Sequence, residues 1–103
     1  MNKNTLGVIG LAYRARGIAT GTNQVLEAIR ARKAKLVIIA SDVSENTRKN
    51  LTDKASFYSA RTEIADITAE ELGRAVGRSN TAAIAFTDVN FVKAYEKSQL
   101  RDI

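Results

Sequence analysis

The chain has 103 residues, a net charge of +5, and no cysteine, histidine or proline. That length supplies one hydrophobic core rather than two. The missing residue types exclude disulfides, Cys- or His-ligated zinc, thiol nucleophiles and histidine-based triads. Residues 5–15 read as a first helix, with Leu6, Ile9 and Tyr13 on one apolar stripe and Gly17 as its end. Ile18 and Ala19 form a short strand. Gly21 and Thr22 then open a second helix running to about Arg32, with Val25, Leu26 and Ile29 turned inward. Its opposite face carries Asn23, Glu27 and Arg30, with Gln24 beside them. Residues 36–40 are a continuous apolar run of strand length, the pattern of a central strand covered on both faces. Ser44 caps a third helix whose inward stripe is Thr47, Leu51, Ala55 and Tyr58. Residues 62–65 are a weak strand. Thr68 and Glu71 form a capping box for a short helix that buries Leu72, Ala75 and Val76 and ends at Gly77. Residues 81–86 are the next apolar strand, and Asp88 caps a last helix with Phe91, Val92 and Tyr95 inside.

This α-β-α-β-α-β-α-β-α alternation places the chain in the α/β class, with a four-stranded sheet between helices. There is no linker, repeat or low-complexity tract, so residues 1–103 are expected to form a single domain. With aromatics at 6% of the chain, the core must be built mainly from Ala, Val, Ile and Leu. The charge is localised. Residues 1–35 hold Lys3, Arg14, Arg16, Arg30, Arg32, Lys33 and Lys35 against Glu27 alone, while residues 36–103 hold nine basic and ten acidic residues. A localised basic surface suits a polyanion such as RNA, an acidic membrane or an acidic protein. No apolar run reaches the length of a membrane span or a signal-peptide core, so a cytoplasmic protein with no membrane partner is expected.

Little points to catalysis. Only carboxylates remain as metal ligands, which would restrict a metal to Mg²⁺ or Ca²⁺. Asp42 and Asp88 each follow an apolar strand, where ligands of open α/β sheets gather, but each also lies at or next to a helix start, where Asp satisfies unpaired N–H groups. Glu45, Glu70 and Glu71 fall in first turns, where negative charge is favourable in any case. The residues from Gly17 to Gly21 lack the Gly-Lys-Ser/Thr of a phosphate-binding loop. No catalytic residue, metal, cofactor or small-molecule substrate is therefore expected. The sequence Gly21-Thr22-Asn23-Gln24 is the strongest local signal. Glycine admits close backbone approach, a helix start offers free N–H groups to phosphate, and Asn and Gln amides pair with base edges. An ordinary helix start with outward polar residues has the same composition. Arg14 and Arg16, and Arg32, Lys33 and Lys35, flank this helix in sequence. They fit either phosphate contacts or solvated helix ends.

Gly-Thr-Asn-Gln opening a helix, Ala34-Lys-Leu-Val-Ile-Ile-Ala40-Ser-Asp42, and Leu72-Gly-Arg-Ala-Val-Gly77 together resemble the kink-turn-binding ribosomal protein family of the L7Ae type. Gly10-Leu-Ala-Tyr-Arg-Ala-Arg16, Asp42-Val-Ser-Glu-Asn-Thr47, Thr52-Asp-Lys54 and Asp88-Val-Asn-Phe91 are similar to its bacterial YlxQ-like branch. The resemblance spans nearly the whole chain in order. It implies a three-layer α/β/α sandwich with a mixed sheet, and RNA contact at one edge. The family's Gly-x-Asn-Glu start maps onto Gly21, Thr22, Asn23 and Gln24. Gln24 keeps an acceptor and loses the acid's charge. Glu27 stands where relatives often carry Lys, and a carboxylate there repels phosphate. The second contact surface falls on Arg78, Ser79, Asn80 and Thr81, a more polar loop in which Arg78 can meet a phosphate or stack on a base. The expected function is non-catalytic binding of structured RNA, ribosomal or kink-turn-like, with Arg14, Arg16, Arg30 and Lys33 adding salt-sensitive attraction. One alternative is a protein-interaction module docking on the ribosome or the transcription–translation machinery without direct RNA readout. Another is a phosphate-handling enzyme built on Asp42 and Asp88.

Overall fold

The computed structural model describes residues 3–100. The elements follow as α1 (Lys3–Arg14), β1 (Ile18–Thr20), α2 (Thr22–Arg30), β2 (Leu36–Ile39), α3 (Glu45–Phe57), β3 (Thr62–Ile64), α4 (Ala69–Ala75), β4 (Ala83–Phe86) and α5 (Val89–Leu100). The sheet order is β1-β4-β2-β3. β4 is antiparallel to both neighbours, and β2 runs parallel to β3. The sheet is therefore mixed, with β1, β2 and β3 pointing one way and β4 the other.

The unbroken apolar character of β2 comes from its position in the middle of two cores. Leu36, Ile38 and Ala40 pack with Ile9 and Ala12 of α1, Leu72 of α4, and Val92 and Tyr95 of α5. Val37 and Ile39 face the other way, into a core with Val25 and Ile29 of α2 and Leu51 and Ala55 of α3. All four residues of β2 are buried. Three helices cover one face and two cover the other, giving the α/β/α sandwich. Aliphatic residues dominate both cores, although the two largest buried side chains are aromatic, Tyr95 and Phe86.

The first two helix ends differ from the sequence expectation. α1 is closed by Arg16, not Gly17: Arg16 takes the left-handed conformation (φ 60°), and the Gly17 N–H bonds Ala12 O at 2.7 Å. Gly17 is required for another reason, since a Cβ there would lie 2.6 Å from the Phe91 ring. α2 stops at Arg30 and is closed in the same way by Arg32 (φ 58°), with the Lys33 N–H bonded to Ala28 O at 2.9 Å. The Thr68–Glu71 capping box and the Ser44 cap form as expected, and Gly77 ends α4 with φ 67°. No helix among the described residues is long and apolar enough to cross a membrane.

Candidate nucleic-acid interface

The strand directions define two ends of the sheet. At the upper end lie the C-termini of β1, β2 and β3 and the start of β4. At the lower end lie the starts of β1, β2 and β3 and the C-terminus of β4. The Gly21 N–H bonds Ala83 O at 2.9 Å and the Ala40 N–H bonds Ala82 O at 2.8 Å. The α2 start, the 40–44 turn and the loop leading into β4 thus meet at the upper end. This puts Gly21, Thr22, Asn23 and Gln24 at the same end of the sheet as Arg78, Ser79 and Asn80.

The α2 start is held open. Gly21 has φ 86° and ψ 157° and gives no side-chain cap to the helix behind it. Only glycine enters that region without strain, and the space above its Cα is empty to 4 Å. The starts of α3 and α4 at this end, and of α5 at the other, are capped. Ser44 accepts from the Thr47 N–H of α3 (3.1 Å), Thr68 from the Glu71 N–H of α4 (3.1 Å), and Asp88 from the Asn90 N–H of α5 (2.8 Å). First-turn N–H groups of α2 therefore remain available to an outside acceptor. Asn23 is exposed with its amide uncommitted, while Gln24 is exposed but folded back: its Oε1 accepts from the Thr20 N–H at 3.2 Å. The acceptor that the sequence assigned to Gln24 for base reading is thus occupied by the chain itself, and its amide N–H groups are what it presents outward.

The neighbouring loop is clamped. A Cβ on Gly73 would fall 1.7 Å from Ser79 O, so the loop lies directly on the α4 backbone. The Arg78 N–H bonds Gly73 O (2.8 Å), the Thr81 N–H bonds Ala69 O (2.9 Å), and the Thr81 hydroxyl donates to Ser79 O (3.2 Å). Thr81 is buried, whereas Arg78, Ser79 and Asn80 are exposed. Gly73 was the one supporting residue that composition and periodicity could not assign. A glycine in the middle of a short helix was its only trace.

Arg78 apart, the predicted cations are elsewhere. Arg14 and Arg16 end α1 at the start of β1, and the Thr87 N–H bonds Gly17 O there (2.8 Å). Lys33 follows α2 and precedes β2, where the Lys35 N–H bonds Phe86 O (2.7 Å). These residues, with Arg32, belong to the lower end, roughly 13 Å of extended strand from the upper one. Arg30 closes the last turn of α2. A shallow groove along α2 and β1, lined by Gln24, Glu27, Ala31, Lys33 and Thr87, connects the two ends, and Glu27 stands partway along it.

Asp42 and Asp88 are separated in the same way, because β4 runs antiparallel. Asp42 lies at the upper end, where its Oδ1 accepts from the Ala69 N–H (2.8 Å) and so caps α4 across 27 residues. Asp88 lies at the lower end on the start of α5. Each carboxylate is held by a backbone donor, and the two do not converge on one ligand. Among the described residues no group of three or more acidic, His or Cys side chains could hold a metal.

Comparison with known proteins gives the family and the fold. The model of the ribosomal protein L7Ae/L30e/S12e/Gadd45 family matches residues 3–96. The chain is 38% identical over 84 residues to the RNA-binding protein YlxQ of Bacillus subtilis strain 168, covering 82% of this chain and 83% of that one. It is 45% identical over 56 residues to the RNA-binding protein YlxQ of Enterococcus faecium, covering 54% of each. Among solved structures, a protein of unknown function from Bacillus halodurans superposes with a TM-score of 0.84 at 32% identity, over 94% of this chain and 97% of that one. A 15.5 kD RNA binding protein of Giardia lamblia superposes with a TM-score of 0.74 at 20% identity, over 97% of this chain and 92% of that one, and so shares the fold. The chain belongs to the ribosomal protein L7Ae/L30e/S12e/Gadd45 family, within its YlxQ-like branch.

Proposed function

We propose that residues 1–103 form one cytoplasmic RNA-binding domain that recognises a structured RNA of kink-turn type without catalysing a reaction. The observation that carries this reading is the uncapped start of α2: Gly21 leaves its first N–H groups open beside an uncommitted Asn23 amide. Gly21 and Thr22 let a phosphate approach the helix start. Asn23 reads base edges with its donor and acceptor pair, and Gln24 adds donors only. Arg78, Ser79 and Asn80 form the second wall, where the Arg78 guanidinium meets phosphate or stacks on a displaced base. Relatives named as RNA-binding proteins support the ligand class. Glu27 limits the affinity, since its carboxylate stands in the groove that leads from this site to Lys33.

The test is a titration with a kink-turn RNA and a plain duplex of equal length, at two salt concentrations. The kink-turn is expected to bind more tightly, and Asn23→Ala to weaken it about tenfold or more with unchanged melting temperature. Equal binding of both RNAs, indifferent to Asn23→Ala, would return the chain to the reading of a protein-docking module.

A further inference from the structure

Phe57, at the end of α3, is 79% exposed, and neither core uses it. Its ring meets the edge of Tyr58, with centroids 5.0 Å apart and planes at 78°. The Arg32 guanidinium lies over the other aromatic, 5.4 Å from the Tyr58 centroid. The C-termini of α2 and α3 thus share a small cluster at the lower end of the sheet, a cation over the Tyr58 ring and Phe57 set edge-to-face against it. An open groove of about 320 Å³ lies against it, lined by Asn50, Asp53, Lys54, Phe57 and Tyr58. Lys33 and Lys35 follow Arg32 on the same turn, both exposed and without an ion pair among the described residues. Arg61, whose carbonyl accepts from the Val37 N–H at the start of β2, is tied to Glu96 at 3.3 Å. Asp53 and Lys54 offset one another.

We infer that this lower-end cluster is a second contact site, for a single-stranded RNA segment, with a base stacked on Phe57 and its phosphates on Arg32, Lys33 and Lys35. An exposed aromatic face among unpaired cations is the arrangement that holds single strands without reading their sequence. A single exposed ring supplies little of the roughly 800 Å² that each side of a stable protein interface buries. One ring flanked by polar residues matches one base. The inference shares the RNA ligand class with the reading above but not its site. It also gives Arg32, Lys33 and Lys35 a role that their distance from Asn23 denies them there.

The probe is a fluorescent oligouridine of about 12 nucleotides, titrated against wild type, Phe57→Ala, Phe57→Trp, Lys33→Gln/Lys35→Gln and Asn23→Ala. Phe57→Ala is expected to weaken oligouridine about tenfold, Phe57→Trp to preserve binding, and the double lysine variant to weaken it with a shallower salt dependence. Asn23→Ala is expected to bind oligouridine as wild type does, while blunt kink-turn RNA is expected to ignore Phe57→Ala. That crossed pattern separates the sites: loss of the kink-turn preference alone removes the upper-end reading and leaves this one standing. Wild-type oligouridine affinity in Phe57→Ala would overturn the proposal. So would equal competition by poly-glutamate of matched charge, which would mark the cluster as a docking surface for acidic protein.

Discussion

The upper and lower ends of the sheet are made of different materials. The upper end is poor in free positive charge: Asp42, Glu45, Glu70 and Glu71 lie there, and the Arg48 and Arg74 guanidiniums are bound to Glu45 and Glu70. Its assets are backbone ones, namely an uncapped helix start, a glycine at φ 86° and a loop pinned to α4. The lower end has little open backbone, since its helix termini are closed by the left-handed Arg16, Arg32 and Ser59. Its assets are side chains: unpaired cations and an exposed aromatic. Shape-specific recognition needs donors held in fixed positions, and attraction needs charge, which acts over a Debye length of about 8 Å whatever its exact placement. The two requirements have been met at opposite ends of one small sheet.

The largest effect is expected where the upper end is most rigid. Gly73→Ala puts a methyl into Ser79 O, and the loop must lift off α4. A loss of about 3 kcal/mol in urea unfolding is expected, with weaker kink-turn binding. Unchanged stability would mean that the loop is not clamped. Next comes the groove between the ends. Glu27→Lys replaces the obstructing charge with an attractive one. Affinity for kink-turn RNA is expected to rise several-fold at low salt, and the log–log salt slope to steepen by about 1. An unchanged slope would show that no phosphate passes Glu27.

A smaller effect tests the helix closures of the lower end. Arg16→Gly removes the penalty of a left-handed non-glycine residue, with a gain of about 0.5 kcal/mol after the entropy of the added glycine. Arg32→Gly is expected to gain less, because it also gives up the stack on Tyr58. Equal melting temperatures for the two variants would remove that stack as a stabilising contact. The smallest effect is a pH dependence at the upper end. The Thr68 N–H and hydroxyl both donate to the Glu71 carboxylate at 3.1 Å and hold its pKa below the ordinary value. A folded-state pKa below the unfolded one gives stability that is present at neutral pH and lost as pH falls through the carboxylate range. The melting temperature gap between wild type and Glu71→Gln is therefore expected to narrow on acidification, and a gap that widens would reverse the assignment.

The sequence by itself determined the elements and their layers. Period and capping chemistry are local, so the doubly covered strand at residues 36–39, the Thr68–Glu71 box and the Ser44 cap were legible where they stand. The helix start at Gly21 and Thr22 was legible too, although the residues alone fitted an ordinary start as well, and the expectation of RNA contact there came from the family resemblance. Only the tertiary structure decided which of these residues share a surface. The direction of β4 is the physical reason. An antiparallel strand reverses the rule that strand C-termini lie together, and so it sends Asp88 away from Asp42. Arg14, Arg16 and Lys33 fall at the other end of the sheet from Asn23, although all lie within a short stretch of chain: β1 separates the two arginines from it, and the nine-residue helix, about 14 Å from end to end, separates Lys33. Gln24, whose free acceptor the sequence implied, spends it on Thr20. Phe57 fell outside every apolar stripe and so looked idle until Arg32 and Tyr58 were found beside it. Proximity along the chain fixes local conformation, whereas proximity in space is set by strand order and direction, which no local pattern encodes.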